Sequence, residues 1–232
     1  MRTAIALDGG VTTFSGATAP WSQASLSVSR RGAPGTVIAR VNQARRFGES
    51  GVQVEAEAYP RLSRSTYAYV DLGYSRARVY PGWRSGAELF TALPRAWELS
   101  GGYRQLRFQD APVTLLTGSV GRYVGDYWFS LRPWLRTGVA ATSASGSVAA
   151  RRYFADADHF IGLRAGFGSA PGDQLSPDQA ARTTSASAAI HGAAGLGTAL
   201  LGTWSLGYDR ETFPALPSRR SATLLLGVKR EF

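Results

Sequence analysis

Apolar and polar residues alternate one by one along most of this 232-residue chain. Val52, Val54, Ala56 and Ala58 alternate with Gln53, Glu55, Glu57 and Tyr59. Ala68, Val70, Leu72 and Tyr74 alternate with Tyr67, Tyr69, Asp71 and Gly73, and Ile161, Leu163, Ala165 and Phe167 with Phe160, Gly162, Arg164 and Gly166. Successive side chains of a strand point to opposite faces, so each such segment has one apolar and one polar face. Helical periodicity is hard to find, and no run approaches the roughly 18 apolar residues that a transmembrane helix needs. The alternating segments are about 10–13 residues long and are separated by turn residues, the pattern of strands that cross a bilayer as a closed barrel.

Fourteen strands are predicted, near 3–14, 20–31, 35–47, 50–60, 64–76, 83–92, 95–108, 112–123, 126–138, 145–155, 158–168, 184–196, 198–210 and 219–232. The first and twelfth alternate least clearly, and twelve strands is the alternative. If the first strand runs outward, the periplasmic connections include Ala92-Leu93-Pro94-Arg95, Val124-Gly125 and Ala155-Asp156-Ala157-Asp158, all short. The opposite set includes Ser75–Trp83, Thr137–Ala144, Ser169–Thr183 and Arg210–Ser218, longer and rich in Pro, Gly and Ser. Short periplasmic turns and longer extracellular loops are the outer-membrane pattern. The predicted fold is therefore all-β: a transmembrane antiparallel up-and-down β-barrel, forming one domain over residues 1–232. The soluble alternative is a β-sandwich or lipocalin-like barrel. Against it, Tyr74, Tyr127 and Tyr208 fall near strand ends on the apolar face, where an interface girdle places aromatics.

The chain ends Gly227-Val228-Lys229-Arg230-Glu231-Phe232. Gly227, Val228 and Phe232 resemble the C-terminal signal that the barrel assembly machinery reads, which implies that machinery as a partner and the bacterial outer membrane as the location. Counting back from Phe232 puts Ala222, Leu224, Leu226 and Val228 outside, with Lys229 and Glu231 inside; Arg230 shares the outward parity. The N-terminus lacks the apolar stretch of about 7–15 residues of a signal peptide. A barrel needs export, so a signal is expected upstream.

The net charge is +10, and Lys229 is the only lysine. Arginine richness reads either as attraction to phosphates or as the codon usage of a GC-rich genome. The arginines are spread over strands and loops rather than patched on a helix, so no nucleic-acid partner is expected. Arg76, Arg78, Arg84, Arg219 and Arg220 fall in or beside predicted extracellular loops, where they are expected to meet lipopolysaccharide phosphates. The absence of Cys fits an oxidising compartment without requiring one.

Strand parity sends Glu55, Glu57, Asp71, Glu88 and Glu98 into the lumen from strands four to seven. Arg104, Arg132, Arg136, Arg151 and Arg164 follow from strands seven to eleven. The expected result is an acidic wall facing a basic wall, a transverse field across a pore; the alternative is that the walls pair and plug it. Tyr59, Tyr67, Tyr69, Trp128 and Trp134 also point inward, either as stacking surfaces for sugar rings or as packing.

No catalytic constellation is expected. There are two histidines, His159 beside Asp158 and His191 on the twelfth strand. Ser187 and His191, four apart on a strand, lie about 13 Å apart. No Gly-x-Ser-x-Gly motif, metal cluster or phosphate loop is present, so no enzyme activity, cofactor or metal is expected.

From Glu57 to Arg136 the chain resembles the YaiO family of outer-membrane barrels. The matching residues are Tyr59-Pro60-Arg61-Leu62, Thr66-Tyr67-Ala68-Tyr69, Gly73-Tyr74-Ser75, Gly86-Ala87-Glu88-Leu89 and Gly102-Tyr103-Arg104, then Gly121-Arg122-Tyr123-Val124-Gly125-Asp126-Tyr127-Trp128-Phe129-Ser130-Leu131-Arg132-Pro133. The resemblance implies location and fold but no activity. Some relatives resemble the barrel halves of exopolysaccharide exporters, preceded by helical repeats that this chain lacks. The expected function is a polar channel or the barrel of a polysaccharide export system. The alternatives are a plugged structural or receptor barrel and, more remotely, a lipid-modifying enzyme.

Overall fold

The computed structural model describes residues 1–108, 112–137, 142–154, 156–168, 184–213 and 217–232. Fourteen antiparallel strands close into a barrel in chain order. They are β1 (Arg2–Phe14), β2 (Trp21–Gly32), β3 (Gly35–Arg46), β4 (Glu49–Pro60), β5 (Thr66–Ser75), β6 (Trp83–Leu93), β7 (Trp97–Arg107), β8 (Pro112–Val124), β9 (Tyr127–Thr137), β10 (Ser143–Tyr153), β11 (Phe160–Gly168), β12 (Thr184–Gly195), β13 (Leu200–Thr212) and β14 (Arg219–Glu231). The twelve-strand alternative is excluded, and both weakly patterned segments form full strands.

Closure is made by β14 on β1, from Ala4 opposite Glu231 to Phe14 opposite Ser221. The last residue extends this ladder: Thr3 N donates to Phe232 O (3.4 Å) and Phe232 N donates to Thr3 O (2.8 Å). An even strand number brings both ends to one rim, the periplasmic rim of short turns. Its connections run from two residues between β2 and β3 to six between β10 and β11. The opposite rim carries 76–82 and the longest connections, and its shortest is the two-residue turn of Phe47 and Gly48, both at positive φ (54° and 78°), as a hairpin of that length requires. The predicted loop Ser169–Thr183 lies outside the described residues.

Where strand limits differ from expectation, turn chemistry is the reason. β7 begins at Trp97 rather than at residue 95 because Arg95 and Ala96 turn the chain at φ 61° and 58°. β11 begins at Phe160 rather than at residue 158 because Asp156 ties the preceding turn: its Oδ1 accepts from Asp158 N (2.8 Å) and His159 N (3.1 Å) and meets His159 Nδ1 at 2.7 Å. The His159 ring and these N–H groups hold the Asp156 carboxyl below the usual carboxylate range. The tie is complete at neutral pH and is lost as pH falls through that lowered range. β10 lies two residues earlier than predicted, a shift that preserves the face of every side chain.

The outer face is apolar. Val54, Leu72, Leu131, Leu163, Leu206 and Leu226 are all more than half exposed, at 51–59%. No acidic residue on any described strand shares this face. The arginines that do share it sit at strand ends: Arg30, Arg122, Arg152 and Arg230 at the periplasmic rim, and Arg45, Arg107, Arg210 and Arg220 at the other. On β14, Arg220 and Arg230 bracket the apolar run; ten residues span about 34 Å along a strand and about 26 Å across a bilayer at a ~40° tilt, the height of a lipid-facing band. Outward aromatics mark the same two levels, Tyr74 against Trp83 (4.8 Å) at the top and Trp97 under the Arg122 guanidinium (4.9 Å) at the bottom.

Leu226→Arg, at the middle of this band, is expected to destabilise the barrel by about 2–4 kcal/mol. Thr223→Arg, on the lumen face of the same strand, is expected to be tolerated. Denaturant titration of the protein folded in lipid vesicles measures both, and equal costs would mean that the strand is one residue out of register.

Candidate functional site

The interior is divided into two unlike walls. From β3 to β9 it carries an alternating lattice of charges. Arg40 Nη1 donates to Glu57 (2.7 Å) and Glu55 (3.4 Å). Glu55 also receives Asn42 Nδ2 (2.9 Å) and Arg84 Nη1 (3.0 Å). Arg84 Nε reaches Asp71 at 2.9 Å, and Asp71 faces Arg104 Nε at 3.8 Å. Arg104 Nη2 donates to Glu88 (2.9 Å), whose other oxygen accepts from Arg132 (2.7 Å) and Ser100 (2.6 Å). Asp71 and Glu88 are almost fully buried, at 1% and 2% exposure.

This lattice corrects the expectation of an acidic wall opposing a basic one. Glu55, Glu57, Asp71 and Glu88 do face the lumen from consecutive strands, but their counter-ions are interleaved beside them. Arg40 went unassigned in the sequence, and Arg84 was expected beside an extracellular loop. It is 13% exposed and bound to two carboxylates in the lumen. Neighbouring strands lie about 4.8 Å apart, close enough for direct contact between their side chains, whereas charges on opposite walls interact across a solvated gap. Buried charges therefore pair along the wall. Gly86 makes the room: a Cβ there would collide with the Asp71 carboxylate and Arg104 Cδ. Arg219 is also corrected. It faces inward and binds Glu211 at 2.6 Å.

From β10 through β14 to β2 the inner face carries many small and hydroxyl side chains, interspersed with charged ones such as Arg151, Arg164 and the Glu211–Arg219 pair. Ser145 and Ser147 on β10, Ser187 on β12, Ser205 on β13, Thr223 on β14, Thr12 on β1 and Ser25 on β2 share this face. Thr12 and Thr223 hydroxyls meet at 2.9 Å. Between the walls lies a cavity of about 830 Å³, reaching from Glu55, Arg84 and Arg132 to Ser205 and His191.

The two ends of the lumen also differ. Towards the extracellular rim, Leu106, Val113, Leu115 and Trp134 form a buried apolar cluster, joined by Phe108. On the far side Trp21 packs edge-on to Phe14 (4.6 Å) and Phe47 (4.9 Å) under the Arg219 guanidinium. The 76–82 segment turns inward between them: Val79 is 5% exposed and Gly82 N donates to Arg107 O (2.9 Å). Gly51 admits it, since a Cβ there would overlap Ala77 and Val79. Towards the periplasm, inward aromatics form an arc over β4 to β11: Tyr59 on Tyr69 (5.2 Å), Tyr67 stacked on Phe90 (4.7 Å), then Tyr123, Trp128, Tyr153 and Phe160. Arg151 lies over Phe160 (4.1 Å), Trp128 (5.5 Å) and Tyr153 (5.8 Å).

The remaining expected lumen residues keep their face. Glu98 accepts from Tyr67 OH (3.5 Å). Arg136 faces inward near the extracellular end of β9. Arg164 lies exposed on β11 and, among the described residues, makes no ion pair. Ser187 and His191 share β12, with His191 edge-on to Phe160 at 5.8 Å. Among the described residues no three His, Cys, Asp or Glu side chains are grouped to hold a metal ion. Phe90, Tyr123, Tyr153 and Phe160 complete the arc and were missed, although each has the lumen parity of a named neighbour. The apolar cluster was signalled by Val113 and Leu115, where β8 becomes apolar on both faces.

A closed barrel with an apolar exterior, interfacial arginines and a polar interior is an outer-membrane β-barrel. The YaiO membrane β-barrel domain matches residues 2–173, and the chain belongs to that family. The match reaches past the 57–136 stretch that carries the motifs, as far as β11. No curated protein sequence matches. Among solved structures, the CymD monoaromatic hydrocarbon channel is similar over 99% of this chain and 88% of its own, with a TM-score of 0.62 at 9% identity. A bacterial polysaccharide outer membrane secretin covers 99% and 98% with a TM-score of 0.63 at 6% identity. The KdgM porin covers 98% and 99% with a TM-score of 0.51 at 12% identity. These likenesses are of fold, and the protein resides in the bacterial outer membrane.

Glu88→Gln leaves Arg104 and Arg132 without their shared carboxylate and is expected to lower stability by about 3 kcal/mol. Arg164→Gln breaks no ion pair and is expected to change it by less than ~0.5 kcal/mol. Urea unfolding of the reconstituted protein compares the two.

Proposed function

We propose that the lumen is a path for polar, ring-bearing solutes, with sugars as the class that fits. The observation that carries this reading is the aromatic arc at the periplasmic end of the polar cavity. Sugar rings present apolar C–H faces that stack on aromatic rings, and hydroxyls that suit a lining of serine, threonine and paired ions. Because the lattice charges are already neutralised by one another, a neutral solute passes them without displacing a counter-ion. A glycan leaving the periplasm would meet the arc first, which favours export over uptake. The polysaccharide in the name of one structural neighbour is consistent with this.

A specific observation favours a second reading, a closed barrel. The 76–82 segment and the apolar cluster both occupy the extracellular half of the lumen. Planar-bilayer recording separates the two. The channel reading expects steady conductance, reduced by neutral dextran oligomers added on the periplasmic side. It expects that reduction to weaken by about tenfold in dextran affinity in the Trp128→Ala, Tyr153→Ala variant, which loses two stacking faces at about 0.5–1.5 kcal/mol each. No conductance from protein shown to be folded by heat-modifiable mobility sinks the channel. Conductance with no dextran effect removes the sugar assignment alone.

A further inference from the structure

Two arginines on the outer face lie directly opposite each other. Arg210 on β13 and Arg220 on β14 are cross-strand partners, both exposed, on the lipid-facing side with Leu206 and Leu224. Like charges in that position repel. One residue away on the same strands, facing the lumen, Glu211 and Arg219 form an ion pair of 2.6 Å. The inner charges are thus matched and the outer ones are not. Among the described residues neither Arg210 nor Arg220 makes an ion pair, and no acidic side chain of a described strand shares their face. A fold that places two cations side by side, with no carboxylate among the described residues in reach, is completed by an anion from outside.

Height and shape identify the anion. Arg220 stands at the upper edge of the apolar band that Arg230 closes below, and Tyr208 lies one outward position beneath Arg210. That is the head-group level of the outer leaflet. Beside the pair, β12 presents Ala186 and Ala188 outward, opposite Arg210 and Tyr208 on one side and opposite Phe167 and Ala165 on the other. The small residues leave a groove of about 340 Å³, bounded by Ala186, Ser187, Ala188, Tyr208, Arg210 and Arg220. It is apolar along its floor and cationic at its extracellular end, the complement of an acyl chain joined to a phosphate. Two guanidinium forks hold a phosphate through charge-assisted hydrogen bonds that neutral donors do not match.

We infer that Arg210 and Arg220 form a phosphate clamp for a phosphorylated glycolipid of the outer leaflet, with an acyl chain in the Ala186–Ala188 groove. Of the arginines expected from the sequence to meet lipopolysaccharide, only Arg220 belongs to this site. Arg84 and Arg219 are spent inside the barrel, and Arg210 takes their place. Arg45 and Arg107, outward at the same rim on β3 and β7, do not bound this groove and have no arginine opposite them, and they serve as controls.

Detergent-purified full chain titrated with bisphosphorylated lipid A, dephosphorylated lipid A and inorganic phosphate, followed by native mass spectrometry, tests the clamp. Arg210→Gln with Arg220→Gln is expected to weaken lipid A binding by about tenfold or more. The lysine double variant should retain part of it, and Arg45→Gln with Arg107→Gln should leave it unchanged. Dephosphorylated lipid A should bind the unaltered protein as weakly as lipid A binds the glutamine variant. Undiminished binding by that variant, with its fold verified by heat-modifiable mobility, overturns the site, as does an equal loss in the Arg45 and Arg107 control. Inorganic phosphate bound as tightly as lipid A overturns the lipid assignment.

Discussion

A backbone N–H or C=O in hydrocarbon has no water to bond with, and each one left unpaired costs several kcal/mol. The rest of this structure depends on that constraint. It demands that β14 find β1, which is why the ladder is carried to the last residue, with Phe232 exchanging hydrogen bonds with Thr3. Once the sheet is closed, every side chain faces either lipid or lumen. Arginine is then tolerated outside only where it reaches head groups, and the outward arginines lie at strand ends accordingly.

The interior solves a different problem. Fourteen strands bring many charges into one enclosed volume, and a charge taken from water is stabilised there only by close partners. The lattice from Arg40 to Arg132 supplies them between adjacent strands, with Gly86 vacating the space that the Asp71–Arg104 contact fills. The opposite wall carries more serine and threonine between its charges, and its Glu211 and Arg219 are likewise matched between adjacent strands. The cavity between them is a consequence of this division. Along the axis the apolar cluster and the inward 76–82 segment narrow one end, while ring faces line the other, so the lumen has a direction.

Much of this was legible before folding. Alternation between Gln53 and Tyr59 or between Tyr67 and Gly73 is a local property, and a strand converts it into faces without knowledge of its neighbours. The same count placed Glu88, Arg104, Trp128 and Trp134 inside. Arg84 shows where local reading stops: its distance from a loop suggested an exposed role, while its parity with Glu88 put it in the lumen beside Asp71. β8 shows another limit, because Val113 and Leu115 break the polar lumen rule to pack with Leu106 and Trp134. A segment with two apolar faces states only that both are dry.

The sequence by itself determined the barrel, the location and the face of nearly every residue, because period two and turn chemistry are properties of short stretches of chain. Tertiary structure decided which charges neutralise which, whether the two ends of the lumen are alike, and that Arg210 and Arg220 stand together unmatched. Those outcomes depend on which residues of different strands come within a few ångströms of each other. That proximity follows from the closed register of the whole sheet and from no segment alone.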